Sequence, residues 1–126
     1  MRPIQLQKSL FLLGRKRASS LKGFYDFHAY NWGPFDKAIF EDAEALESEG
    51  LIQIIRASHS TLKEYVPTQV GLERAKELRG TAPADAVEYI AQAVDWTQKV
   101  SFSELLSQIY KDYPEFKVKT LFRDQV

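Results

Sequence analysis

The sequence predicts a mainly α-helical fold with a small β-hairpin wing (α+β), a winged helix-turn-helix-like single domain with additional C-terminal helices. Three observations predict it. The stretch from Tyr25 to Ile52 runs from an aromatic segment through a Trp-Gly-Pro break into an amphipathic helix that stops at Gly50. That glycine feeds directly into Leu51-Ile52-Gln53-Ile54-Ile55, so the hydrophobic period changes there from helical to extended. A second short strand, Leu62 to Val66, then leads toward another helix, giving the order helix, two-stranded wing, helix. On this reading residues 1–80 form the winged-helix core and residues 81–126 a helical extension of the same domain.

The totals agree with one domain. A chain of 126 residues with 44% hydrophobic and 13% aromatic content can bury one continuous core. There is no cysteine, which excludes disulfides and thiolate chemistry and fits a reducing compartment. No apolar run reaches the length of a membrane span, and the opening MRPIQLQKSLFLLGRKR lacks the uninterrupted apolar stretch of a secretory signal. A cytoplasmic protein with no membrane partner is expected. Net charge is zero, but residues 1–25 carry six basic groups and no acid, whereas residues 26–50 carry Lys37 against seven acids. The basic footprint usual in nucleic-acid binders is therefore replaced by a dipolar first half.

The elements follow in order. Pro3 suits the first position of a helix, on which Ile4, Leu6, Leu10, Phe11 and Leu13 share about half of the circumference. Gln7 lies within that arc, and Gln5, Lys8 and Ser9 lie opposite. Gly14 and the polar run after it end the helix. There Arg15, Lys16 and Arg17 read either as a solvated helix end favoured by the C-terminal dipole or as a phosphate-contacting patch. Between Leu21 and Tyr30 an extended segment is expected, with Phe24, Asp26, His28 and Tyr30 on one face and Tyr25, Phe27 and Ala29 on the other. Gly33-Pro34 breaks it, and Asp36 is placed to cap the next helix.

On that helix Phe35, Ile39, Ala43 and Leu46 form the inward stripe. Its outer side presents Lys37, Phe40, Glu41, Glu44, Glu47 and Ser48. A winged helix would put this helix into the major groove, where three carboxylates would meet phosphates of the same sign. Asp42 sits at the edge of the apolar stripe, and a bond to Lys8 or Gln7 of the first helix is expected to satisfy it; a functional carboxylate is the alternative. After the wing, with its loop at residues 57–60, Thr68 caps a helix with Gly71 for close packing and Leu72, Ala75 and Leu78 inward. A long helix from about Pro83 to Val100 carries two apolar stripes, for the core or for a partner chain, which makes a homodimer plausible. Ser101 and Glu104 form a capping box for a last helix with Leu105, Leu106, Ile109 and Tyr110 inward, ended by Pro114.

Catalytic chemistry finds no support. The two histidines, His28 and His59, have no partner spacing suited to zinc; His28 is expected to be hydrogen-bonded and half-buried among aromatics, His59 exposed in the wing loop. No nucleophile elbow, phosphate loop or dinucleotide motif is present. No enzyme activity, cofactor or metal is expected.

Two resemblances add to this. Glu49-Gly50-Leu51-Ile52 followed by Tyr65-Val66-Pro67-Thr68 and Gly71 resembles the wing region of MarR- and PadR-type winged-helix regulators. Leu6-Gln7-Lys8-Ser9-Leu10-Phe11 and Tyr30-Asn31-Trp32-Gly33-Pro34-Phe35 are similar to two phrases of the Panacea antitoxin domain and its SocA-like relatives, over about residues 4–55. Ser9 departs from that pattern, which has leucine there. The second resemblance implies a non-enzymatic module that neutralises a toxin or serves as a proteolytic adaptor.

Two functional expectations follow. As an antitoxin-like or adaptor-like protein-binding module, the chain would grip a basic partner through Tyr30, Trp32, Phe35, Phe40, Glu41, Glu44 and Glu47, an apolar anchor within a charged rim. As a DNA-binding winged-helix regulator, it would contact phosphates through Arg15, Lys16, Arg17 and Lys22, with Arg56 and Lys63 of the wing.

Overall fold

A computed structural model describes residues 1–15, 25–56 and 62–121. Ten elements follow in order: helix α1 (Pro3–Arg15), strands β1 (His28–Tyr30) and β2 (Gly33–Phe35), α2 (Ala38–Ser48), β3 (Ile52–Arg56), β4 (Lys63–Pro67), α3 (Gln69–Thr81), α4 (Ala84–Lys99), α5 (Phe102–Asp112) and a 3-10 turn (Pro114–Lys117). The protein is mainly helical, with two separate antiparallel hairpins, β1-β2 and β3-β4. The expected hairpin after Gly50 is present, with Ile52 opposite Pro67 and Arg56 opposite Lys63. Its expected loop, and His59, lie outside the described residues.

The core is built where α1 meets α5. Phe11, Leu105, Leu106, Ile109, Tyr110 and Phe116 form one buried cluster. Phe11 is fully enclosed and meets Phe27, Tyr113 and Phe116 edge to face, with ring centroids 5.3, 5.1 and 4.9 Å away. Such geometry sets the positive ring edge against the negative face, adding to the burial of the rings themselves. All four residues expected inward on α5 are buried, and Ser101 caps it by accepting from the Glu104 N–H at 3.1 Å.

The α1–α4 contact has a different chemistry. Ser9 and Thr97 are both buried, and their hydroxyls are hydrogen-bonded at 2.8 Å. The hydroxyl pair satisfies two small polar groups at once, so a serine stands inside the structure where an aliphatic residue would leave the Thr97 hydroxyl with a poorer set of partners. Lys8 is likewise buried, at 2% exposure. Both residues were expected on the outer side of α1. The helix is enclosed on that side too, because β2 and α4 pack against it.

Local bonds fix the passage from α2 to α3. Gly50 takes φ +78°, the left-handed conformation that ends a helix. The Thr68 hydroxyl donates to the Gly50 carbonyl at 2.7 Å and accepts from the Gly71 N–H at 3.0 Å, so one side chain caps α3 and ties it to the end of α2. A Cβ on Gly71 would stand 1.9 Å from the Leu51 carbonyl oxygen, which makes glycine the residue this crossing accepts.

Four expectations are corrected. Leu72, Ala75 and Leu78 of α3 are exposed, Leu72 at 51%, and α3 buries none of its residues. Periodicity marked the apolar side, but after the chain turns at Ala82-Pro83 only a hollow separates Ala75 and Leu78 from Val87, Ile90 and Val94 of α4, and the described residues leave the stripe exposed. Leu46, expected inward on α2, is 40% exposed. Gly33-Pro34 is no break: the reversal lies at Asn31-Trp32, and Gly33 and Pro34 belong to β2. His28 is exposed, with Nε2 3.2 Å from the Asp26 carboxylate, because β1 turns Asp26, His28 and Tyr30 outward and Tyr25, Phe27 and Ala29 inward.

Gly71→Ala is expected to lower the urea midpoint by an amount equivalent to about 2 kcal/mol, the scale of overpacking against backbone. Ala at Gly80, where no atom lies within 4 Å of a built Cβ, should leave the midpoint the same or raise it.

Candidate functional site

The exposed rings of this protein stand on a platform held by α1. Two consecutive residues of that helix grip the second strand of the first hairpin. Lys8 Nζ donates to the Pro34 carbonyl at 2.9 Å. Gln7 pairs with the backbone of Asp36 in both directions, donating to its carbonyl at 2.9 Å and accepting from its N–H at 3.1 Å. The Asp36 carboxylate in turn accepts from the Ala38 N–H at 2.9 Å, starting α2, and from the Asp26 N–H at 2.8 Å, holding the approach to β1. Asp36 was expected at the cap position itself; that position falls to Lys37, which makes no side-chain capping bond, and Asp36 acts from one residue earlier on the Ala38 N–H.

Gly33 makes the grip possible. Its φ of +96° lies in the region that favours glycine, and a Cβ there would come within 2.9 Å of both Lys8 Cε and Leu106 Cδ2. The lysine stem therefore lies against bare backbone. From the other side, the Asn31 carbonyl accepts from the Leu121 N–H at 2.8 Å and from the Thr120 hydroxyl at 3.3 Å, which ties the turn to the segment after α5.

On this platform the ring-bearing residues become neighbours. Tyr30 and Phe35 stack at 4.9 Å across the hairpin, and Phe35 meets Phe40 of α2 at 5.3 Å. Tyr30 is 50% exposed, Trp32 42% and Phe40 37%, so Tyr30 and Phe40 are open to solvent on either side of the partly buried Phe35. Trp32 faces elsewhere, meeting Phe102 of α5 at 5.7 Å. Glu41 and Glu44 are exposed on α2 beside Phe40. Glu44 also lines a 280 Å³ depression with Phe40, Pro3, Ile54, Lys63 and Tyr65. Burial, with the Glu44 charge second, raises the Tyr65 hydroxyl pKa. Glu47 differs from the other two acids. Its Oε2 accepts from the Ile54 N–H at 2.9 Å, so it braces the second hairpin.

Asp42 does not bond to Lys8 or Gln7. It is exposed and accepts from the Tyr25 hydroxyl, which burial, and then this bond, push up to about 12. The two α1 residues are already committed to the backbone of Pro34 and Asp36.

The basic candidates scatter. Arg15 holds its guanidinium over the rings of Phe11, Tyr113 and Phe116 at 5.0, 5.7 and 5.3 Å, which fixes it in place. Arg56 Nη1 donates to the Ile54 carbonyl at 3.3 Å. Lys63 is exposed on β4. Lys16, Arg17 and Lys22 lie outside the described residues. Among the described residues no group of three or more His, Asp or Glu side chains could hold a metal, and no helix is long and apolar enough to cross a membrane.

Sequence reasoning missed Lys8 and Gln7 as positioning groups, and Arg2 and Phe102 as surface features. A glycine-proline pair facing a helix with adjacent Gln and Lys was the available signal for the first two. Comparison with protein-family models, with curated proteins and with solved structures gives no match.

Burial lowers Lys8 from its ordinary 10.5 to about 7. Between these values the folded protein holds fewer protons at this site than the unfolded chain, so stability should rise with pH across the window; below about 7 the full cost of burying the ammonium is present. The stability difference between the wild type and Lys8→Met is expected to shift in favour of the wild type from pH 7 to pH 10, followed by urea unfolding at each pH. A difference that stays constant would mean that the amine is not buried.

Proposed function

We propose that this chain is a non-enzymatic protein-binding module, antitoxin-like or adaptor-like, that engages a basic partner through the ring strip of the first hairpin and α2. The observation that carries the reading is the contacting succession Tyr30, Phe35, Phe40, exposed at Tyr30 and Phe40 and bordered by Glu41 and Glu44. Rings held in place by packing lose little conformational freedom on binding, and aromatic anchors with a charged rim dominate many protein interfaces. Resemblance to the Panacea and SocA-like phrases supports the same class: Gln7, Lys8, Gly33 and Pro34, which carry the resemblance, are the residues that grip the ring-bearing hairpin. Trp32 belongs to a different part of the surface and Glu47 to the internal framework, which leaves Phe40, Glu41 and Glu44 as the principal contacts.

A winged-helix DNA-binding regulator is the second reading. It is favoured by the order α2, β3-β4 hairpin, α3, with Arg56 and Lys63 on the hairpin. Glu41 and Glu44 on the helix that would enter the groove oppose it, since like charges near phosphates raise the cost of approach. Anisotropy titration of random-sequence duplex DNA at two salt concentrations separates the readings: steep salt dependence favours the regulator.

Phe40→Ala combined with Glu44→Lys is expected to weaken capture of a co-purifying basic partner by at least about tenfold, with circular dichroism and the urea midpoint little changed. Glu47→Gln should instead lower stability through the Ile54 amide while sparing capture. Equal capture by the wild type and the double variant would remove the strip from the interface.

A further inference from the structure

On the side of the molecule where Trp32 meets Phe102, a cavity of about 530 Å³ opens between the start of α1, the hairpin turn, the end of α4 and the start of α5. Ile4, Trp32, Val100, Phe102 and Leu105 give it apolar walls. Among the described residues Arg2 and Lys63 are its charged lining residues, and no described carboxylate lines it. Neither cation forms an ion pair with a described carboxylate. Elsewhere the surface is different: the neighbouring 280 Å³ depression shares Pro3 and Lys63 but contains Glu44.

We propose that this cavity binds the C-terminal residue of a partner polypeptide, an apolar side chain packing against the Trp32–Phe102 wall while its α-carboxylate is met by Arg2 and Lys63. Volume, wall chemistry and charge each restrict the occupant. The volume lies in the range of pockets that enclose small ligands, which is room for one or two residues. The ring pair, centroids 5.7 Å apart at 63°, offers an apolar face and edge to a large side chain. Two cations with no described acid beside them call for negative charge. A terminal residue carries its apolar group and its carboxylate on one Cα, so both demands are met within a single residue. The walls are supported from beneath. Leu105 is buried, and Gln5 Nε2 donates to the carbonyl of buried Thr97 at 3.4 Å, joining the α1 and α4 sides of the cavity. A polypeptide fits better than a free acid because the cavity lies at the surface beside exposed Arg2 and Lys63, which leaves a way out for the chain that leads to the terminal residue. The inference goes beyond the ring-strip reading, resting on it only for the occupant being a protein, and uses residues other than Phe40 and Glu44.

The test uses the full chain, labelled with ¹⁵N, and the synthetic peptide acetyl-Gly-Ser-Gly-Phe as free acid and as C-terminal amide. The two indole N–H resonances, of Trp32 and Trp96, report separately. The acid is expected to shift the Trp32 indole saturably, with the amide weaker by at least about tenfold through loss of the charge-assisted bonds. Arg2→Ala with Lys63→Ala, both exposed, should abolish that preference without unfolding, and Phe102→Ala should weaken both forms. Phe40→Ala with Glu44→Lys should leave peptide binding unchanged, so failure of the ring-strip reading and failure of this one are distinguishable. No Trp32 shift with acid up to ~1 mM, equal binding of acid and amide, or 3-phenylpropanoate binding as tightly as the peptide would each overturn the proposal.

Discussion

The surface of this protein depends on two neighbouring side chains of α1 that hydrogen-bond to backbone rather than to other side chains. Lys8 and Gln7 take hold of the Pro34 carbonyl and of both backbone groups of Asp36. These groups lie at the end of a three-residue strand in a two-stranded ribbon, a structure too small to persist in water by itself. Asp36 then passes the constraint on, fixing the first turn of α2 and the segment before β1 through its two carboxylate oxygens. Lysine burial is costly because the ammonium leaves water for one hydrogen bond, and its lowered pKa expresses that cost. The length and donor of the lysine let it cross Gly33 and reach a carbonyl that an aliphatic residue would leave unpaired.

Three features of the outer surface follow from that constraint. Tyr30 and Phe35 stack diagonally across the hairpin, Tyr30 lying opposite Gly33 and Phe35 opposite His28, and Phe40 joins them because α2 starts where Asp36 places it. The turn at Asn31-Trp32 is carried toward α5, where Trp32 meets Phe102. One hairpin thus presents rings to two regions of different charge, acids beside Phe40 and cations beside Trp32. On the proposed reading the two regions would meet a partner at an internal basic surface and at a chain end, and their linkage through one hairpin would limit the entropy lost when both are engaged.

Features set by bonds between near neighbours were legible in the sequence. Thr68 with Gly71, Ser101 with Glu104, and the change of period at Gly50 all act across three or four residues, and the structure has each of them. The mainly helical class with a hairpin after α2 was legible for the same reason. What was not legible depends on what lies opposite. Lys8 and Ser9 fall on the polar side of α1, and only the presence of β2 and of Thr97 shows that this side is enclosed. For α3 the error ran the other way: a clear apolar stripe was present, and the described residues leave it exposed. Of the ring candidates, Tyr30, Phe35 and Phe40 were brought together as expected of one surface. Trp32 and Glu47 were diverted, one by the sharp turn and the other by an unpaired strand amide that a carboxylate could satisfy.

Amide hydrogen exchange at Asp36 is the most direct measurement on this account. Its N–H belongs to no helix or ladder and is held by the Gln7 side chain. The account predicts slow exchange in the wild type, close to that of core amides, and in Gln7→Ala a loss of protection concentrated between residues 28 and 38 while α5 stays protected. Fast exchange at Asp36 in the wild type, or unchanged protection in the variant, would contradict the claim that α1 holds the hairpin in place.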